Sequence, residues 1–271
     1  MRPVLTTGAN SGIGLATVLE LARRGFRSIG SVRSPAKADM VAAAAAEAGV
    51  EVETVQLDVT DPESCAEVIA EVGQLYGLVN NAGYGLTGAV EDVDDDEAHA
   101  LIETMLFAPV RLARLVLPGM REAGAGRIVN VSSIYGRTTT PLTGWYQAAK
   151  HGLEGITDAL RMEVAAAGVK VVLVEPGGFK TNIWEDLQRD IDKRGESRYG
   201  SAYRRTQQLM ALSSPIMGQP AQAAKVIAGA VAASRPRARY LVGYDAQLTA
   251  LADRLTPTAV KDAVTRITLG L

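Results

Sequence analysis

The stretch Thr7-Gly8-Ala9-Asn10-Ser11-Gly12-Ile13-Gly14 decides how the rest of the chain is read. It follows a short apolar segment with strand character and opens a helical pattern. The first amides of a helix have no partner inside it and carry the positive end of its dipole. A dinucleotide pyrophosphate can rest against such amides only where no side chain stands between, and Gly12 and Gly14 remove that obstacle. A glycine-rich turn without a ligand uses the same residues, so the surrounding sequence has to settle the matter.

On both sides of this turn, short β-branched segments alternate with longer helical patterns, as in a parallel sheet covered on both faces. Strands are predicted at residues 2–6, 27–32, 52–57, 77–80, 127–132, 169–175 and 239–242. The first helix runs from the glycine turn to Arg24, before Gly25. The second has Ser34 as N-cap and Pro35 as its first helical residue. Further helices are predicted at 61–71, 94–123 and 146–167. Residues 182–217 break the rhythm: they are highly charged, carry Ile183, Leu187 and Ile191 at helical spacing, and read as an inserted helical flap. Residues 248–255 are amphipathic, which suits packing on the body, closing the pocket or touching a membrane surface; packing on the body is the expectation. The fold expected is α/β, a single Rossmann-type doubly wound domain over residues 1–271, with about seven parallel strands and helices on both faces.

Bulk properties exclude several function classes. Of 271 residues, 47% are apolar, and 28 cationic side chains nearly balance 30 anionic ones. No basic stripe suited to a phosphate backbone emerges, so nucleic acid is not an expected partner. Cys65 is the sole cysteine, which rules out an intrachain disulfide or a cysteine metal cluster and fits a reducing cytoplasm. No secretory pattern precedes Thr7, and no apolar run approaches the roughly 18 residues of a membrane span. A cytoplasmic protein without metal is therefore expected, because two unclustered histidines, His99 and His151, make no metal site. The acidic run 92–97 reads as a solvated helix start favoured by the dipole.

Later motifs give the glycine turn its meaning. Asn80-Asn81-Ala82-Gly83 follows the fourth strand, Ser132-Ser133 closes the fifth, Tyr146-x-x-x-Lys150 opens a helix, and Pro176-Gly177 with Thr181 follows the sixth. In that order and spacing the chain resembles the short-chain dehydrogenase/reductase family from Leu5 to about Asp245. Glu175-Pro176-Gly177 and the strand Arg239-Tyr240-Leu241-Val242-Gly243 look like its retinol- and hydroxysteroid-dehydrogenase branch.

Hydride transfer at an alcohol carbon leaves a proton to be moved at the oxygen. A free phenol, with a pKa of about 10, does this poorly. Four residues apart on a helix, Tyr146 and Lys150 share a face, and a nearby ammonium favours the phenolate. The resemblance implies that Ser133, Tyr146 and Lys150 are catalytic, with Ser133 on the reacting oxygen and Lys150 also on the nicotinamide ribose. It further implies cofactor contacts from Gly8, Asn10, Ser11, Gly12, Ile13 and Gly14. Asp58 and Val59 would lie along the adenine, and Asn81, Ala82 and Gly83 beneath its ribose. Pro176 and Gly177 would seat the nicotinamide, with Thr181 on its carboxamide.

The second strand ends in Arg33 with no carboxylate beside it, which suits a 2′-phosphate and so NADP(H). One departure stands out. Where many family members have an asparagine in the fourth helix, Met105 occurs, and a thioether cannot donate a hydrogen bond to a water relay. The expected activity is hydride exchange between NADP(H) and a carbonyl or secondary alcohol of an apolar small molecule. Leu86, Tyr135, Trp145, Phe179, Trp184, Leu187, Met210 and Ile216 are candidate lining residues or, equally, ordinary core. The alternative is an NADP(H)-binding regulatory or sensor protein that kept the fold. The resemblance also implies a homodimer or homotetramer.

Overall fold

The computed structural model describes residues 1–181, 183–194, 196–213 and 217–271, excluding the side chains of 183–185 and 213. Seven strands, β1 (Pro3–Thr6), β2 (Arg27–Val32), β3 (Glu53–Gln56), β4 (Gly77–Asn80), β5 (Gly126–Val131), β6 (Val169–Pro176) and β7 (Arg239–Val242), form a sheet. Their order is β3-β2-β1-β4-β5-β6-β7, and every pairing is parallel. The chain steps outward from β1 to β3, then returns to place β4 beside β1. That reversal opens a crevice at the carboxyl ends of β1 and β4, the place where open α/β sheets bind ligands.

Successive strand residues face opposite sides of the sheet, and both sides are apolar here. Leu5, Ile29, Leu78, Ile128 and Val171 point to one layer. Their neighbours Val4, Val79, Val129 and Val172 point to the other. The first layer is closed by α3 (Pro62–Val72) and α5 (Ala108–Glu122), through residues such as Cys65, Val68, Leu112 and Met120. The second is closed by α1 (Gly12–Arg23) and α9 (Pro220–Ala232), through Leu21, Ile227 and Val231. Burying each of these large side chains contributes about 1.5–3 kcal/mol.

Helix starts follow local chemistry. Pro35 opens α2 (Pro35–Glu47) behind Ser34, and Asp61 accepts a hydrogen bond from the Glu63 amide at the head of α3. The helix expected over 94–123 is interrupted. It forms as α4 (Asp95–Ile102), one π turn (Glu103–Phe107) and then α5. Pro109 explains the break: it has no N–H to give, and its ring would clash with the Met105 carbonyl of an unbroken α-helix. Across the π turn the Ala108 amide instead donates to the Glu103 carbonyl.

After α6 (Gly144–Glu163), the region read as a flap contains α7 (Ile183–Lys193) and α8 (Gly200–Ser213). The acidic run before it is more than a solvated helix start. Glu97 pairs with Lys193 and Arg194 at 2.7 Å each, and Asp92 accepts from Ser197 Oγ at 2.6 Å and Tyr203 Oη at 2.7 Å. Two further helices, α10 (Tyr244–Leu255) and α11 (Thr258–Leu269), complete the chain. The amphipathic stretch in α10 packs differently from expectation: Ala246 faces inward, while Leu248, Leu251 and Leu255 are exposed. Among the described residues no helix is long and apolar enough to cross a membrane.

Candidate active site

The glycine turn is locked from behind. Thr7 Oγ1 accepts the amides of Asn81 at 3.0 Å and Ala82 at 2.9 Å, while Asn81 Nδ2 donates to the carbonyls of Thr7 at 2.9 Å and Gly8 at 3.3 Å. Gly8 takes a φ of 66°, which suits glycine. A Cβ on Gly14 would meet the Gly8 carbonyl oxygen at 2.1 Å. Gly14 is therefore needed by the turn's own packing, whereas the sequence alone suggested clearance for a ligand. At the head of α1, the Ser11 side chain makes no capping bond and the first turn holds no acidic residue. Nothing on the helix itself neutralises its positive end.

A cavity of about 1180 Å³ runs over this turn. Gly8, Asn10, Ser11, Gly12, Ile13 and Gly14 border it on one side, with Asn81, Ala82 and Gly83 next to them. Arg33, Asp58 and Val59 border it as well, as do Ser133, Tyr146, Lys150, Pro176, Gly177 and Thr181. The fold thus gathers every cofactor and catalytic candidate around one space. It adds Lys37, a second cation bordering the cavity from the first turn of α2, four residues after Arg33. That spacing across a Ser-Pro helix start was the available signal. Asp58 accepts from Thr60 Oγ1 at 2.7 Å and its amide at 3.0 Å; these bonds, aided by Arg33 and opposed by burial, hold its carboxyl below the usual range.

Ser133 sits where β5 ends, and its Oγ accepts the Tyr135 amide at 3.2 Å. Tyr146 and Lys150 occupy one face of α6. The Lys150 Nζ lies 5.8 Å from the Tyr146 ring centroid and donates to the Val131 carbonyl at 2.8 Å. The expected lowering of the phenol is not what this arrangement gives. Burial pushes Tyr146 up to about 12, against a hydrogen bond with Ser133 and alongside Tyr135. Because Tyr146 keeps some exposure to the cavity, solvent there moderates the shift. Burial also pushes Lys150 down to about 8, against the charge of Glu154. With the ammonium beyond the ring and bonded to a carbonyl, desolvation outweighs its attraction for a phenolate.

Met105 is buried in the π turn and borders the cavity, its Cε close to Gly83. The outer half of the cavity takes Leu86, Tyr135, Phe179, Leu187 and Met210 as expected. Trp145 is a correction. It does not border the cavity but donates from Nε1 to the Val90 carbonyl at 3.4 Å, because adjacent helical residues project about 100° apart. Trp184 and Ile216 lie outside the described residues. The sequence reading offered closing of the pocket as one option for residues 248–255 but missed the rest of the C-terminal wall, which Thr249 of α10, Thr256 after it, and Val260 and Val264 of α11 build. It also missed Asp245, whose Oδ2 accepts the Gly178 amide at 2.5 Å and pins the loop after β6.

A family model described as short chain dehydrogenase matches residues 2–192. The chain belongs to the short-chain dehydrogenase family. As such it is an oxidoreductase, and its relatives resemble it over nearly their whole length. An uncharacterized oxidoreductase, YusZ of Bacillus subtilis, is 32% identical, over 96% of this dehydrogenase and 95% of the relative. Human retinol dehydrogenase 5 is 31% identical over 96% and 86%. A solved actinorhodin polyketide ketoreductase with NADPH has a TM-score of 0.78 and 28% identity, covering 92% of this chain and 97% of its own.

Proposed function

We propose that this dehydrogenase uses NADP(H) to reduce the carbonyl of an apolar small molecule, with Ser133, Tyr146 and Lys150 as its catalytic group. The observation that carries this reading is their convergence on one cavity with the glycine turn. The residues present fit a phosphorylated dinucleotide. Uncapped amides and Ser11 at the head of α1 suit a pyrophosphate, and Arg33 with Lys37 suits a 2′-phosphate better than a ribose hydroxyl. The solved NADPH-containing ketoreductase supports the same choice. Asp58, Val59, Asn81, Ala82 and Gly83 would hold the adenosine, and Pro176, Gly177 and Thr181 the nicotinamide. When bound, the nicotinamide supplies or takes up the hydride.

The chain's own residues handle the oxygen. Ser133 donates a hydrogen bond to the substrate carbonyl, and Tyr146 passes its proton to that oxygen as negative charge develops there. Lys150 holds the ribose side of the site and stabilises the phenolate left behind. A phenol pushed up to about 12 is protonated at neutral pH, the form that can give a proton to the carbonyl oxygen. Leu86, Phe179, Leu187, Val260 and Val264 give the outer cavity an apolar wall. A relative named for retinol is in keeping with an apolar substrate.

Met105 favours a second reading, a cofactor-binding protein with little turnover. Both are tested by a panel of apolar ketones and aldehydes assayed with NADPH and NADH. Turnover with NADPH, lost by about 10²–10⁴-fold in Tyr146→Phe while cofactor affinity is kept, is expected. Binding without turnover across the panel would instead establish the second reading.

A further inference from the structure

Helix α6 carries a buried charge that the chemistry above does not use. Glu154 lies one turn beyond Lys150 on the same helix face and is 6% exposed. Its Oε2 accepts a hydrogen bond from Arg239 Nη1. Its Oε1 and the Ser132 Oγ are buried without a hydrogen-bond partner of good geometry. The two crowd the same point: a Cβ on Gly136 would lie 2.6 Å from Ser132 Oγ and 2.7 Å from Glu154 Oε1. Glycine at 136 is what lets them meet.

Charged groups reach this carboxylate from every element packed on it. From β6, the fully buried Glu175 accepts hydrogen bonds from Arg239 Nη1 at 2.7 Å and Arg137 Nη2 at 3.1 Å. On α6, Asp158 is bonded by both Arg239 and Arg161. Arg239 of β7 is thus divided among three carboxylates. Lys150 is a buried cation one turn back on the same helix, and its own hydrogen bond goes to a neutral carbonyl. Burial and the charge of Glu175 raise the Glu154 carboxyl, while Ser132 and Arg239 draw it back. For the ammonium, the Glu154 charge is the influence that opposes burial.

We propose that Glu154 is a positioning residue for the lysine: anchored by Arg239 one helical turn from Lys150, its carboxylate supports the Lys150 ammonium by charge along the buried face of α6. This rests on reading Lys150 as part of the proton-handling group. The carboxylate acts through Lys150 and touches no reacting atom.

The test is Glu154→Gln, which keeps the shape and the acceptor for Arg239. In the unmodified enzyme kcat is expected to fall as pH rises past about 8, where Lys150 loses its proton. In Glu154→Gln that fall should move to lower pH by on the order of one unit. A cofactor-free readout accompanies it. Lys150 is depressed in the folded state, so it adds stability as pH climbs from about 8 toward the ordinary lysine value. In Glu154→Gln this gain should begin at lower pH, and the difference should vanish when Lys150→Met is present in both proteins. Unmoved kinetic and stability limbs, or a difference in the pH dependence of stability above neutrality that persists with Lys150→Met, overturn the proposal. If the unmodified protein reduces no carbonyl, the functional reading fails, while the stability comparison still decides the coupling. Should Glu154→Gln not fold, Glu154→Asp draws the charge back and is expected to move both limbs the same way by less. Limbs left unmoved by that variant also overturn it.

Discussion

Where the cavity passes between β1 and β4 its wall is main chain braced by Thr7 and Asn81, whereas beneath α7 and α8 it is roofed by side chains reaching across to residues 85–97. Asp190 Oδ2 accepts the Thr87 amide at 2.8 Å, and Tyr203 Oη accepts the Ala89 amide at 2.7 Å. The first wall leaves little room for change, since a side chain at Gly14 would run into the Gly8 carbonyl and the Asn81 amide that brace it. The second is held by individual hydrogen bonds and ion pairs together with a small apolar cluster of Ala89, Leu142, Leu187, Ile191 and Tyr203, none of them in the sheet. A dehydrogenase built this way can keep one dinucleotide cradle while its substrate chamber varies.

Breaking the cradle should cost most. Gly14→Val places side-chain atoms against the Gly8 carbonyl and Asn81; a loss of about 3 kcal/mol in denaturant unfolding, with no measurable cofactor binding, is expected. Near-normal NADPH affinity would show that the turn can yield. Arg33→Ser should weaken NADPH roughly 10–100-fold and leave NADH nearly unchanged, as for a charge-assisted hydrogen bond. Equal losses for both cofactors would remove the 2′-phosphate from the argument.

Milder effects belong to the roof. Tyr203→Phe leaves the Ala89 amide and Asp92 without their phenol; a cost of about 1–2 kcal/mol should appear as faster hydrogen exchange in α8 and a raised KM. Cofactor affinity should not move, and if it does the two halves are not separable. Acid gives the smallest effect. Burial would raise the Glu97 carboxyl, but its hydrogen bond with Lys193 and the charge of Arg194 hold it below its ordinary 4.5. A lowered carboxylate contributes stability above that value and loses it as pH falls through the folded one. Amides of α7 should therefore loosen below about pH 4.5 before those of β1 and β4, and added salt should blunt the difference.

The same division governs what the amino-acid sequence discloses. Every strand lies within one residue of its predicted bounds, because each is a short β-branched run closed by a glycine, serine or proline signal. Thr7–Gly14 and Asn80–Gly83 were legible because each is a short run of glycines and polar residues in a characteristic order after a strand. The π turn was also within reach, since Pro109 stands inside the predicted helix. The roof was not, because nothing in Asp92 or Glu97 names Tyr203 or Arg194 as a partner across roughly a hundred residues. Nor does an i, i+4 spacing tell whether an ammonium or the loss of water will dominate a phenol, and at Tyr146 burial dominates.

Thr7 and Asn81 are 74 residues apart in the chain, yet each completes the other's hydrogen bonds and Gly14 packs against both partners' segment. The two motifs are therefore one inheritable part. A hybrid enzyme assembled from two relatives with its junction between them would combine halves that never shaped each other, whereas a junction beyond Gly83 would carry the whole lock across intact.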